Sequence, residues 1–323
     1  MTEPATTIVV FRDTTHGLPA REYAAELRER LHDCEVRLAR TPHEEREYVA
    51  DAAVATGEDV DREVLAGAMD LELFACSWAG TEHLPLDALE EQGVAVTNAA
   101  GIHAPNIAET VIGFVLTFAR RLHEGLRRTR NREWRHFQGY ELRGSTVTVV
   151  GMGSIGTATL RRLEGFGVET VGVRHTPSKG GPADKVVGYE ERAVHEALAR
   201  SEYVVLACPL TETTRGLIDE AAFATLPPEA VLVNVGRGKV VDTEALTAAL
   251  ERQSIRGAAL DVVDPEPLPG DHPLWRFENV LLTPHNAGHS PQHWPRLADL
   301  LAENVGRLRG DGSAELKNEV LAP

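Results

Sequence analysis

Thr146 to Val150 reads Thr-Val-Thr-Val-Val and runs without a break into Gly151-Met152-Gly153-Ser154-Ile155-Gly156, after which Thr157 to Phe166 has helical spacing. A strand that ends in glycines and turns at once into a helix leaves little choice of fold. It is the opening turn of a βαβ unit in a parallel sheet. Gly151 allows the tight turn, Gly153 lets backbone amides approach a pyrophosphate, and Gly156 permits the helix to pack closely on the strand. The helix N-terminus favours an anion at the same place. Residues Gly151, Met152, Gly153, Ser154, Ile155 and Gly156 are therefore read together as a dinucleotide-binding turn.

The rest of the chain repeats the same alternation of short apolar runs with amphipathic stretches. Ile8 to Arg12, Glu35 to Ala39, Val54 to Thr56, Leu71 to Cys76 and Ala95 to Thr97 read as strands, with helices at Pro19 to Leu31 and Leu86 to Gln92. One long helix is expected from Ala104 to about Leu126, with Ile107, Val111, Phe114, Val115 and Phe118 on one stripe. A second series follows at Thr146 to Val150, Glu169 to Val173, Tyr203 to Ala207, Val231 to Val235, Ala258 to Val263 and Val280 to Thr283. The final helix, about Pro291 to Leu308, has no strand left to precede and is expected to return to the first region. A chain of 323 residues exceeds the ~250 that one core usually serves. The expected fold is α/β, with two doubly wound parallel-sheet domains. A Rossmann domain at 103–289 is joined by a smaller, discontinuous, flavodoxin-like domain at 1–102 and 290–323.

Composition narrows the partners. A formal net charge of -16 would be repelled by a phosphate backbone or an anionic membrane, so a small-molecule ligand is expected and nucleic acid is not. No apolar run approaches the ~18 residues of a membrane span. The polar start from Met1 to Thr7 lacks the charged-then-apolar pattern of a secretory signal, and a cytoplasmic location is expected. Cys34, Cys76 and Cys208 have neither disulfide nor zinc spacing, and no metal site is expected. The only lysines are Lys179, Lys185, Lys239 and Lys317, the other basic residues being arginine. An acidic, lysine-poor surface fits work in concentrated salt, as in a halophilic protein, and also fits a GC-rich genome without salt adaptation.

Downstream of the glycine turn come Pro209-Leu210-Thr211 with Thr213 and Thr214, Asn234-Val235-Gly236-Arg237-Gly238, Asp261-Val262 with Pro265-Glu266-Pro267, and Thr283-Pro284-His285. In this order and number the segments resemble the D-isomer-specific 2-hydroxyacid dehydrogenase family, over about residues 70 to 290. The resemblance implies hydride exchange between a nicotinamide cofactor, bound between two domains, and a 2-oxo or 2-hydroxy acid. It also implies a homodimer built mainly on the nucleotide domain.

Singly, Arg237, Glu266 and His285 could be a surface arginine, a loop acid and a capping histidine. Together they follow successive expected strand ends, on the side where open α/β sheets bind ligands. The chemistry needs these residue types. Arginine's fork can hold a carboxylate and polarise a carbonyl while keeping its charge, which is the role expected of Arg237. Histidine titrates near neutrality, so His285 can protonate the developing alkoxide. Glu266 on the other ring nitrogen would fix the tautomer and stabilise the protonated ring. The family assigns the same roles.

Further contacts follow from the resemblance alone. It implies substrate binding by the backbone amides of Ala79 and Gly80, after Trp78, with Arg237 and His285. It implies cofactor contacts at Cys208, Pro209, Thr214, Val235, Gly236, Asp261, His285 and Gly288, with Asp261 at the nicotinamide carboxamide. Val263 departs from the phenylalanine the family often has there. Trp78, Ile102 and Trp294 are candidate apolar walls of the substrate pocket. Formate dehydrogenases share the architecture but pair the histidine with glutamine, so Glu266 disfavours them. Phosphoglycerate dehydrogenase is a closer rival, although no regulatory domain follows Pro323 in this sequence, and an NAD(P)-sensing interaction module of the same fold is the alternative outside catalysis.

Cofactor choice turns on one residue. After the strand Glu169 to Val173, an NAD-specific fold usually places an acid that bonds the ribose 2′-hydroxyl. Here Arg174, His175 and Thr176 stand about 18 residues past Gly156, with Ser178 and Lys179 close behind. A cation there suits a 2′-phosphate, so NADP is expected to be preferred, with NAD also accepted.

Overall fold

A computed structural model describes residues 6–310 and 315–322; the polar start read from Met1 falls, as far as residue 5, outside the described residues. The chain divides into two units, residues 1–103 with 289–323, and residues 104–288. No helix among the described residues is long and apolar enough to cross a membrane.

In the first unit, β1 (Thr7–Val10) is followed by a small antiparallel hairpin of β2 (Thr14–Thr15) and β3 (Leu18–Pro19), then β4 (Glu35–Leu38), β5 (Val54–Gly57), β6 (Leu73–Cys76) and β7 (Ala95–Thr97). The large sheet runs β4-β1-β5-β6-β7, all parallel, which is the doubly wound order of flavodoxin-like folds. Its edge carries one strand the sequence reading missed. Glu319–Leu321 pairs antiparallel with β7, so this sheet is not purely parallel.

Alternation along each strand decides which helix covers which face. Ile8, Val10, Val54, Leu73 and Ala75 point toward Tyr23 and Leu27 of the helix Ala20–Arg30 and toward Trp294, Leu297 and Leu301 of the helix His293–Leu308. Val9, Ala55, Phe74 and Val96 point to the other face and meet the short helices Pro42–Val49, Arg62–Gly67 and Leu86–Glu91. Thr41 and Asp61 cap the first two of these through their side chains. The sequence pass found only the last of the three.

The second unit holds seven parallel strands, β8 (Thr146–Val150), β9 (Glu169–Val173), β10 (Lys185–Val187), β11 (Tyr203–Leu206), β12 (Val231–Asn234), β13 (Gly257–Leu260) and β14 (Val280–Leu282). Their order, β10-β9-β8-β11-β12-β13-β14, reverses direction beside β8, as in dinucleotide-binding sheets. Every residue of β8, β11, β12 and β13 is buried, as expected of strands covered on both faces. Val204, Leu206 and Leu232 face one core, and Tyr203, Val205 and Val231 face the other.

The long helix expected from Ala104 to Leu126 is instead two helices, Ala104–Ala119 and Leu122–Arg130. Val111, Phe114, Val115 and Phe118 are buried, but the apolar stripe stops at Ala119, and Arg121 turns left-handed with φ 52°. Beyond the break the helical phase is reversed. Leu122 and Leu126 face outward, while Glu124 is buried and bound by Arg127 and Arg128, which hold its carboxyl at about 2.

Candidate active site

Because the seven strands are parallel, their C-terminal ends lie on one side of the sheet, and nearly every candidate residue of the second unit is at such an end. At the end of β8, Gly151 has φ 93°, which an L side chain rarely adopts, and a Cβ there would lie 2.6 Å from the backbone of Cys208. A Cβ on Gly156 would reach 1.9 Å from the Gly151 carbonyl oxygen, so this glycine is required for the helix to meet the strand. Gly153 differs. A Cβ there meets nothing within 4 Å, so the protein itself does not demand glycine. A ligand's close approach would. The helix Ser154–Leu163 has no side-chain cap, which leaves its first N–H groups to an anion.

A groove of about 590 Å³ joins this turn to Arg174, Thr176, Lys179 and Thr214. His175 and Pro209 also line it. Arg174 Nη1 donates to the Gly180 carbonyl at 2.7 Å, which ties the arginine to its own loop. The Thr214 hydroxyl is spent internally, donating to the Pro209 carbonyl at 2.6 Å and accepting from Thr211 N at 2.8 Å. It shapes the loop. The Cys208 thiol is buried and burial pushes it up to about 11, so it is no nucleophile at neutral pH.

The next three strand ends carry the candidate catalytic groups. After β12, the buried Asn234 accepts from Gly236 N at 3.1 Å and donates to the Arg237 carbonyl at 3.1 Å, bracing the segment that contains Val235 and Gly236. Arg237 Nη1 donates to the Gly236 carbonyl at 2.8 Å. After β13, Glu266 Oε1 accepts from Val263 N at 3.0 Å. Its Oε2 lies 3.0 Å from Nδ1 of His285, which follows β14. The two side chains meet although 19 residues separate them, and both stay accessible to a ligand. His285 has φ 52° and is fixed by its N–H, which donates to the carbonyls of Asp261 and Thr283.

Asp261 is the hub of this arrangement. Only 4% exposed, its carboxylate accepts from Thr283 Oγ1 at 2.5 Å, Asn286 N at 2.8 Å and Ala287 N at 3.0 Å. It thereby clamps the segment from Thr283 to Ala287. Sequence reasoning gave Asp261 only a cofactor contact, gave Asn234 no role within its segment and overlooked Asn286. The available signal was a polar residue ending or following a fully apolar strand.

In the first unit, the turn after β6 is pinned by its carbonyls. Ala99 N donates to Trp78 O at 3.0 Å, and Asn98 Nδ2 donates to Ala79 O at 2.7 Å. Gly80 follows, where a Cβ would strike the Glu82 carboxylate at 2.7 Å. Of the three apolar residues offered as pocket walls, only Trp78 is well exposed, at 46%. Trp294 is buried with its ring stacked on Tyr23 at 4.7 Å, and Ile102 packs on the same core. Trp294 is a core residue because the returning helix must cover that face of the sheet, whereas Ile102 is only partly buried.

A doubly wound sheet with a ligand-ready glycine turn and a His–Glu pair at neighbouring strand ends defines a dinucleotide-dependent oxidoreductase. Comparison with known proteins makes this specific. Residues 112–287 match the family model for the D-isomer specific 2-hydroxyacid dehydrogenase, NAD binding domain. The chain is 35% identical over 283 residues to the glyoxylate reductase of Korarchaeum cryptofilum, with 85% of each chain covered. It is 34% identical over 263 residues to the glyoxylate reductase/hydroxypyruvate reductase of Homo sapiens, with 79% of each covered. The D-isomer specific 2-hydroxyacid dehydrogenase of Xanthobacter autotrophicus, solved in complex with NADPH and MES, matches with a TM-score of 0.79 at 29% identity over 98% of both chains. This chain belongs to the D-isomer specific 2-hydroxyacid dehydrogenase family. It is an NAD(P)-dependent oxidoreductase of the CH–OH group, interconverting 2-oxo acids and D-2-hydroxy acids.

Proposed function

We propose that the chain reduces short 2-oxo acids of the glyoxylate or hydroxypyruvate type, with Arg237, Glu266 and His285 as its catalytic residues and NADPH as its preferred cofactor. The observation that carries this reading is the 3.0 Å contact between Glu266 Oε2 and His285 Nδ1. With the carboxylate on Nδ1, the ring presents Nε2 to the substrate. The bound nicotinamide supplies a hydride to the carbonyl carbon. His285 gives the proton that the oxygen takes up, and Glu266 stabilises the ring while it is charged. Arg237 pairs with the substrate carboxylate and polarises the carbonyl, and the N–H groups of Ala79 and Gly80 add to carboxylate binding. Steady-state rates for glyoxylate, hydroxypyruvate and 2-oxohexanoate with each cofactor test the proposal. Absence of turnover with all three would leave a nucleotide-sensing interaction module as the better reading.

The NADPH preference is supported by Arg174, Thr176 and Lys179 lining the groove that begins at the glycine turn. Arg174→Asp replaces a cation by an anion where the 2′-phosphate would sit. The ratio of kcat/KM for NADPH over NADH should fall at least ~10-fold. A wild type that favours NADH, or a ratio unmoved by the mutation, removes Arg174 as the selector.

We also propose a cytoplasmic homodimer formed mainly through the nucleotide unit. Leu122, Leu126 and Trp134 are exposed there, which supports a partner surface. Unpaired Cys34, Cys76 and Cys208 fit a reducing compartment. The charge of -16 supports a halophilic reading. If it holds, the melting temperature should rise as KCl is taken from millimolar to molar, because salt screens repulsion among surface carboxylates. A flat melting temperature would attribute the composition to genome bias.

A further inference from the structure

We propose that His16, His103 and His293, all in the first unit, form a binding site for one divalent transition-metal ion of the zinc class. One ring nitrogen from each lies within 4.8 Å of the other two. Three imidazoles converge although they come from distant stretches of sequence. His16 sits at the tip of the β2–β3 hairpin, where it and Gly17 both take positive φ, as two-residue hairpin turns require. His103 ends the segment that leaves the first unit, and His293 opens the helix that covers the sheet after the chain returns.

His293 is the most telling of the three. It is 1% exposed, and neither of its ring nitrogens has a hydrogen-bond partner. Buried polar atoms of native proteins nearly always have one. The rings also pack against one another. His103 stacks on His293 at 5.1 Å with 13° between their planes, His16 lies 5.1 Å from His293, and His289 stacks on His16 at 4.1 Å. Zinc–nitrogen bonds of ~2.0–2.1 Å in a tetrahedron bring ligand nitrogens to about 3.3 Å from one another. Closing from 4.8 Å to that distance requires the rings to turn when the ion binds. An all-imidazole donor set selects zinc, nickel, copper or cobalt over magnesium or calcium, which prefer oxygen. Three protein ligands leave a coordination position for water. Glu266 and His285 belong to the other unit.

The test uses full-length protein without a histidine tag, stripped of metal by a chelator and titrated with Co²⁺ by visible absorption and with Zn²⁺ by calorimetry. One equivalent is expected to bind, with the ligand-field bands of four- or five-coordinate cobalt. His16→Gln, His103→Gln and His293→Phe should each weaken binding at least tenfold, phenylalanine keeping the buried ring volume. If His293→Phe does not fold, the two glutamine variants decide. No cobalt spectrum in wild type, or unchanged affinity in His16→Gln and His103→Gln, overturns the site.

Discussion

Replacing His285 by alanine should lower kcat for 2-oxo acid reduction by roughly 10² to 10⁴ while leaving the Kd for NADPH nearly unchanged. The size of the effect follows from the geometry. His285 is the titratable group that Glu266 orients through Nδ1, and the segment holding it is clamped by Asp261. Removing the imidazole takes away the proposed proton donor but leaves the glycine turn and its groove intact. A variant within threefold of wild type would exclude His285 as the acid. Glu266→Gln should be milder, because glutamine can still accept from Nδ1 but adds no charge. Its kcat should fall less than in the alanine variant, because the ring keeps a hydrogen-bond partner while losing the counter-charge. A kcat equal to that of wild type would separate Glu266 from the mechanism.

Asp261→Ala should damage stability and catalysis together. Its carboxylate takes three hydrogen bonds from Thr283, Asn286 and Ala287 in a nearly water-free position. Alanine leaves buried donors without an acceptor, at about 1–3 kcal/mol for each group that water cannot reach. The expected loss is about 3 kcal/mol of unfolding free energy, read from urea denaturation. The same change frees the segment that keeps His285 in its left-handed conformation. A fall in kcat of at least ~10-fold should accompany it, because misplacing a proton donor by about an ångström is costly. The split between constants is informative. If Asp261 acts only by holding this segment, kcat falls and the Kd for NADPH stays. If it also binds the carboxamide, both change. Wild-type stability in the variant would show that the clamp carries no load.

The strands of the second unit were legible because strands buried on both faces are predominantly apolar. Val147 to Val150 and Val231 to Val233 stand out from any neighbouring sequence. Lys185–Val187 was not, because an edge strand of three residues that starts with lysine has no such run. The break at Arg121 was hidden by a local pattern in which Leu122 and Leu126 continue the helical period but face outward. Residue types and their order pointed to Glu266 and His285. The hub at Asp261 was less visible, since two of its three donors are backbone N–H groups that any sequence would offer. The histidine cluster was invisible for a different reason. Positions 16, 103 and 293 have no spacing, and only the fold puts them together.

The helix His293–Leu308 covers one face of a sheet whose strands are almost all made from the first 97 residues. During synthesis the chain therefore completes the second unit while the first still lacks part of its cover. Ile8, Val10, Val54 and Leu73 have only the helix Ala20–Arg30 to cover them on that face until the last helix emerges. The first unit cannot mature in the order in which it is translated, and its apolar face is open to wrong partners for nearly the whole of elongation.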